Sequence, residues 1–130
     1  MLGSALMHAN LAASDLDRAR LWYADKLGLT PREELGGETL VYGEGASLFT
    51  IYVSPNAGTA KSTVAVFVVP DLDAEMAELR ARGLVFEDYD MEDLKTVNGL
   101  ATDPDGGKGA WFIDSEGNTL SLVQWPAGAR

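Results

Sequence analysis

The sequence predicts an α+β fold built from two βαβββ halves in one domain, residues 1–130, with modules at about 4–58 and 59–126. Three observations predict it. Two amphipathic helical segments open on related tetrapeptides, Ser14-Asp15-Leu16-Asp17 and Pro70-Asp71-Leu72-Asp73. Both segments close on a Gly-Leu pair, Gly28-Leu29 and Gly83-Leu84. Each is preceded by one strand-like run and followed by two or three more, and such self-similarity marks a duplicated supersecondary unit.

The elements follow from local chemistry. The first strand is expected over Leu6–Ala12. Ser14 is then a good helix N-cap, and Asp15 and Asp17 sit in a first turn where the helix dipole favours negative charge. Leu16, Ala19, Tyr23 and Leu27 recur at helical spacing, and Gly28 is placed to end the helix in a left-handed conformation. The second helix opens at Asp71 and puts Leu72, Met76 and Leu79 on one stripe before Gly83 stops it. One apolar stripe on each helix requires a sheet to lie against. The remaining strands are expected at Thr30–Glu34, Thr39–Tyr42, Ser47–Val53, Thr63–Val69, Val85–Glu87, Gly109–Ile113 and Thr119–Gln124. Gly36-Gly37, Gly43-Glu44-Gly45 and Glu116-Gly117-Asn118 read as hairpin turns, and 55–60 as the connector between halves. A long irregular stretch, about 88–108, is expected to be a functional or mobile loop.

Composition limits the function. Ten basic against twenty acidic residues give a net charge of −10, which repels nucleic-acid phosphates and anionic membrane surfaces. The absence of cysteine excludes disulfides, thiolate metal sites and a thiol nucleophile. His8 is the one histidine, so a protomer cannot offer two imidazoles to a metal. The start lacks a basic region, and its apolar stretch is broken by His8 and Asn10, so a cytoplasmic protein without a leader is expected.

Ser14 to Tyr23, with Lys26-Leu27-Gly28-Leu29, the echo in Asp71-Leu72-Asp73 and Glu78 to Gly83, and the terminal Asp114-Ser115-Glu116-Gly117-Asn118, together resemble the vicinal oxygen chelate superfamily. That group includes glyoxalase I, extradiol dioxygenases and bleomycin-resistance proteins. The resemblance spans nearly the whole chain. It implies two paired βαβββ modules forming a curved mixed sheet around a cleft, and a homodimer. Metal-using members carry ligands at four strand positions. These fall on His8 and near Thr50, Val64 and Ser121. Around the last three, Leu48–Tyr52, Ser62–Val66 and Thr119–Val123 contain no His, Asp or Glu, and Gln124, just beyond, is a poor ligand. A divalent transition metal normally takes three or four protein ligands. No cofactor is therefore expected, and a divalent metal is disfavoured; if one binds, His8 is the residue to hold it.

The candidate ligand-binding residues are His8, Thr50, Tyr52, Val64, Trp111 and Ser121. Successive strand side chains face opposite ways, so Phe49 and Ile51 share one face, and Thr50 and Tyr52 the other. Thr50 matches a ligand position, which assigns that second face to the cleft. Val64, Val66 and Val68 likewise share a face, with Trp111 either alongside or opposed. Such a lining is apolar with a few hydroxyls, the profile of a small-molecule pocket, although the same residues could simply pack a closed core. His8 reads either as a buried or cleft-lining imidazole bonded to a backbone carbonyl, or as a ligand-contacting acid–base group. The acidic run 87–93 lacks the calcium-loop pattern and reads as a solvated loop or as a negative rim for a cationic ligand. Gly106-Gly107-Lys108 lacks phosphate-loop spacing, and no serine lies in a hydrolase context.

The function expected from these residues is binding, or metal-independent handling, of a small hydrophobic or cationic molecule. Two alternatives stand beside it. One is a metal-dependent enzyme of glyoxalase or dioxygenase type, with the metal held at least by His8. The other is a ligand-free dimeric interaction module.

Overall fold

A computed structural model describes residues 1–128. The first half runs β1 (Asn10–Ala13), α1 (Leu16–Trp22), β2 (Glu33–Leu35), β3 (Thr39–Tyr42) and β4 (Phe49–Val53). The second runs β5 (Ala65–Val68), α2 (Leu72–Ala81), β6 (Ala101–Thr102), β7 (Lys108–Ile113) and β8 (Thr119–Gln124). The two sheets are four-stranded and share one topology, β1-β4-β3-β2 and β5-β8-β7-β6. In each, the strand before the helix pairs parallel with the last strand of its module, and the other pairings are antiparallel. The α+β class and the paired βαβββ modules are as the sequence indicates. Each module contributes one four-stranded mixed sheet.

Both helices begin as the acidic tetrapeptides suggest, with one shift of position. The cap of α1 is Asp15, whose side chain accepts from the Arg18 amide at 3.0 Å; Asp71 does the same for Ala74 at 3.1 Å. Ser14, the expected cap, instead donates to Glu116 Oε1 at 3.4 Å and accepts from Arg18 Nη2 at 3.1 Å. An aspartate and a serine are comparable caps, so a tertiary partner for the serine decides between neighbours. After Trp22 the helix widens into a π-helical turn, Tyr23–Leu27, and stops at Gly28 with φ +69°. Glycine at position 28 serves the left-handed backbone angle; the nearest group to a β-carbon there is the movable tip of Arg82.

One expected strand is corrected. Val85–Glu87 is not a strand, and the short strand β6 lies at 101–102, inside the stretch read as irregular. The 85–87 segment runs beside β7 but makes a single ladder-like bond there, Glu87 N–H to Trp111 O at 2.8 Å. Phe86 turns inward onto Phe112, centroids 6.3 Å apart and edge-on, while Val85 is exposed. Burial of one large ring outweighs the strand propensity of its β-branched neighbour. The first strand starts later than expected, at Asn10. Leu2–Ser4 form a 3₁₀ turn and residues 6 and 7 are exposed. The turn at 43–45 leads into a 3₁₀ helix, Gly45–Ser47, and is not a simple hairpin loop.

Strand alternation buries Leu11, Ala13, Leu40, Tyr42 and Ile51 against Ala19 and Tyr23, and buries Ala110, Phe112, Leu120 and Leu122 with Leu72, Met76 and Leu79. These two sets form one cluster. Trp22 of the first half lies over Phe112 of the second at 6.2 Å, and Phe49 meets Phe67 edge-on at 6.1 Å.

Polar groups of the β7–β8 turn lock the halves together. Asp114 Oδ2 accepts from the Tyr23 hydroxyl at 2.6 Å and from Asn118 Nδ2 at 3.0 Å, while its Oδ1 accepts from the amides of Glu116 and Asn118, both at 2.9 Å. Asn118 Nδ2 also donates to Ala12 O at 2.8 Å. Glu116, whose side chain is shut away from solvent, accepts from Arg18 Nε and Nη2, from Ser14, from Ser115 and from the Asp15 amide.

Candidate functional site

β1 and β5 are each bonded to a neighbour on one side only, β4 and β8 respectively. Between the segment entering β1 and strand β5 lies a cavity of about 610 Å³. His8, Met7 and Leu11 line it from the first strand and its approach, and Ala65 to Val68 from β5. The side between β3 and β4 contributes Tyr42, Phe49 and the 43–48 turn. Its aromatic wall is ordered: Tyr42 and Phe49 stack at 4.8 Å with planes 3° apart, and Phe67 meets Phe49 at 87°. No Asp, Glu, Lys or Arg is among the described residues lining this space.

Tyr42 is 1% exposed, and its hydroxyl has no hydrogen-bond partner among the described residues. Burial pushes its pKa up to about 12, against a smaller opposing effect of Arg20, so it stays a neutral phenol at physiological pH. A buried hydroxyl without a partner costs about 1–3 kcal/mol. Tyr42→Phe is therefore expected to fold normally with a thermal midpoint equal to or above that of the parent. A fall of several degrees on calorimetric melting would show that the hydroxyl is engaged after all.

The six residues singled out from sequence are spread over the cavity and both sheets. His8 is exposed and lines the cavity. Thr50 and Tyr52 occupy the face of the first sheet turned away from α1, and Thr50 Oγ1 donates to Asn10 Oδ1 at 2.8 Å. Val64 lies just before β5 and is partly exposed. Register places Val66 opposite Ser121 and Ser121 opposite Trp111, so Trp111 shares the face of Val66 and Val68. Ser121 is buried there, while Tyr89 from the acidic segment packs edge-on against Trp111 at 5.7 Å. Thus Trp111 and Ser121 are brought together, and His8 sits apart from them at the cavity. Val66 and Val68 belong to both places.

Sequence reading missed Tyr42, Phe49, Phe67 and Leu29 as cavity residues. The available signal was two aromatic residues, Tyr42 and Phe49, flanking the glycine-rich turn. The acidic run is tied down locally. Asp88 Oδ1 accepts from Thr96 Oγ1 at 2.8 Å and from the Gly99 amide at 2.7 Å, which holds its carboxyl below the usual range.

The four positions matched to metal ligands supply an imidazole, two hydroxyls and a hydrocarbon: His8, Thr50, Ser121 and Val64. One hydroxyl is engaged by Asn10, the other is buried, and valine has no donor. This set does not fit a divalent transition metal. Gln124 is committed elsewhere, its Oε1 accepting from the Leu72 amide at 2.8 Å at the start of α2. Among the described residues no three His, Cys, Asp or Glu side chains come together as a metal-binding group.

No curated protein sequence matches the chain. Solved structures do. A glyoxalase/bleomycin resistance protein from Catenulispora acidiphila is 24% identical, with a TM-score of 0.70 over 95% of this chain and 100% of that one. A lactoylglutathione lyase from Agrobacterium tumefaciens is 20% identical, with a TM-score of 0.68 over 98% of each chain. A glyoxalase/bleomycin resistance protein/dioxygenase from Alicyclobacillus acidocaldarius is 17% identical, with a TM-score of 0.70 over 94% and 92%. At these identities the likeness is one of fold. A family model, Glyoxalase/Bleomycin resistance protein/Dioxygenase superfamily, matches residues 5–122. The chain belongs to the Glyoxalase/Bleomycin resistance protein/Dioxygenase superfamily.

Proposed function

We propose that the chain binds a small, largely apolar molecule in the cavity between its two modules, without help from a metal ion. The observation that carries this reading is the cavity itself: its volume falls in the range of small-ligand sites, and it is walled by aromatic and aliphatic side chains with few polar groups. The ligand is placed there because the cavity encloses space on several sides. Outside it, Tyr52 on the first sheet and Val64 just before the second are open to solvent. His8 belongs to the cavity wall and is the one imidazole available to contact a bound molecule. A divalent ion is left out of the proposal because the donors at the matched positions are unsuited to it. The lyase likeness, at 20% identity, carries no activity across to this chain.

Thermal unfolding with two sets of additives tests this. Small neutral organic compounds are expected to raise the midpoint in proportion to the logarithm of their concentration above Kd, as binding to the native state requires. Nickel, zinc, manganese and ferrous salts are expected to leave it unchanged. A midpoint raised by one of those ions, with the effect lost in His8→Ala, would overturn the reading in favour of a metal site.

A further inference from the structure

We infer that the cavity selects uncharged aromatic molecules, and that it discriminates against both cations and anions of the same shape. The inference rests on the proposed binding role and adds the class of ligand. Two observations support it. First, the described residues of the wall hold no carboxylate, ammonium or guanidinium. An ion entering would lose hydration with no fixed counter-charge to replace it, a penalty a neutral molecule avoids. This holds despite the net charge of −10, because the acidic run 87–93 contributes no residue to the wall. A cationic ligand would be drawn toward the protein at long range, but at the site the ring faces offer it only a weak cation–π attraction, smaller than the cost of stripping a charge of its water. Second, the wall is aromatic in a defined geometry. Buried Tyr42 backs Phe49 in a parallel stack, and Phe67 stands perpendicular to Phe49, so the two partly open rings, Phe49 and Phe67, set their planes at right angles, which suits the edge and face contacts that a further ring prefers. Phe49 and Phe67 come from different modules, so a ring seated against them touches both halves.

Three probes of one shape test the claim: naphthalenemethanol, naphthoate and naphthylmethylammonium, titrated by calorimetry into the full chain near neutral pH. The expected result is that the neutral probe binds about tenfold or more tightly than either ion. Ala65→Leu, which adds bulk to the wall, is expected to weaken the neutral probe by about tenfold. Should that variant fold poorly, Ala46→Asp at an exposed lining position serves instead. It introduces one carboxylate and should shift preference toward the ammonium probe. If an ion binds the parent as tightly as the alcohol, and the variants still alter its binding, selection for uncharged ligands is refuted while the cavity remains a site. If no probe binds, or if binding ignores both variants, the cavity reading fails together with it.

Discussion

Asp114→Ala is expected to lower the free energy of unfolding by about 4 kcal/mol, the largest loss of any single substitution considered for this chain. The carboxylate accepts four hydrogen bonds: two from main-chain amides of its own turn, one from the Asn118 side chain and one from the Tyr23 hydroxyl. Alanine would leave those donors without acceptors at a site where Tyr23 is fully buried and Asn118 nearly so. Water cannot replace the lost bonds without opening the contact between halves. Tyr23 itself reports the environment. Burial first, and the Asp114 charge second, push its phenol well above the ordinary range, so it is a permanent donor. Tyr23→Phe removes one donor, keeps the ring and leaves Asp114 three partners, so its loss should be the smaller, about 1–2 kcal/mol. Denaturant titration of both variants, followed by far-UV circular dichroism, measures the difference. Equal losses would mean that the hydroxyl bond alone matters and that the turn amides find other acceptors. A domain of this size is stable by about 5–15 kcal/mol in total, so Asp114→Ala brings the chain close to partial unfolding.

The second large effect is a loss of stability in acid that passes through Glu116. Desolvation alone would raise the carboxyl pKa, but the Arg18 guanidinium and the hydrogen bonds from the Asp15 amide and the Ser115 hydroxyl prevail and lower it to about 2. An unfolded glutamate titrates near 4.5. A group whose pKa is depressed by folding adds stability that is complete above the unfolded value and declines as the native carboxyl is protonated. The contribution is therefore full above about pH 4.5, falls between there and about pH 2, and is gone below. Its size is about 2 kcal/mol after allowance for solvent around Arg18, whose side chain is half exposed. Glu116→Gln should be less stable than the parent at neutral pH, and the two curves should converge toward pH 2. Urea midpoints measured across that range give the answer. Parallel curves would mean that other carboxylates govern the acid limb.

These two residues show how far local sequence reaches. Glu116, Gly117 and Asn118 read correctly as the turn before the last strand, because turn chemistry is written in residues close together in the chain, while Asp114 entered only with the motif that carries the family resemblance. That the same side chains bond to Tyr23, Arg18 and Ala12, about a hundred positions away, could not be read from their order. Hydrogen-bond partners at that separation depend on how two modules dock. The misplaced strand has the same origin. Val85-Phe86-Glu87 has strand composition, but the place of Phe86 was settled by Phe112 in the core. Ala101-Thr102, with weak local preference, took the position beside Lys108-Gly109 instead.

The candidate site shows the contrast most clearly. The paired modules, the helix-opening aspartates, the stops at Gly28 and Gly83, and the shortage of metal donors beside His8, with Thr50, Val64 and Ser121 at the other matched positions, were all determined by the sequence itself. Periodicity, capping and donor inventory act within a few residues. Alternation also assigned Thr50 and Tyr52 to one face. The cavity was decided only by tertiary structure, because empty space belongs to no residue. It arises where two sheets with matching topology leave an edge of β1 and an edge of β5 without a neighbouring strand, and where the rings of Tyr42 and Phe49, paired across β3 and β4, meet Phe67 of the other module instead of filling the gap.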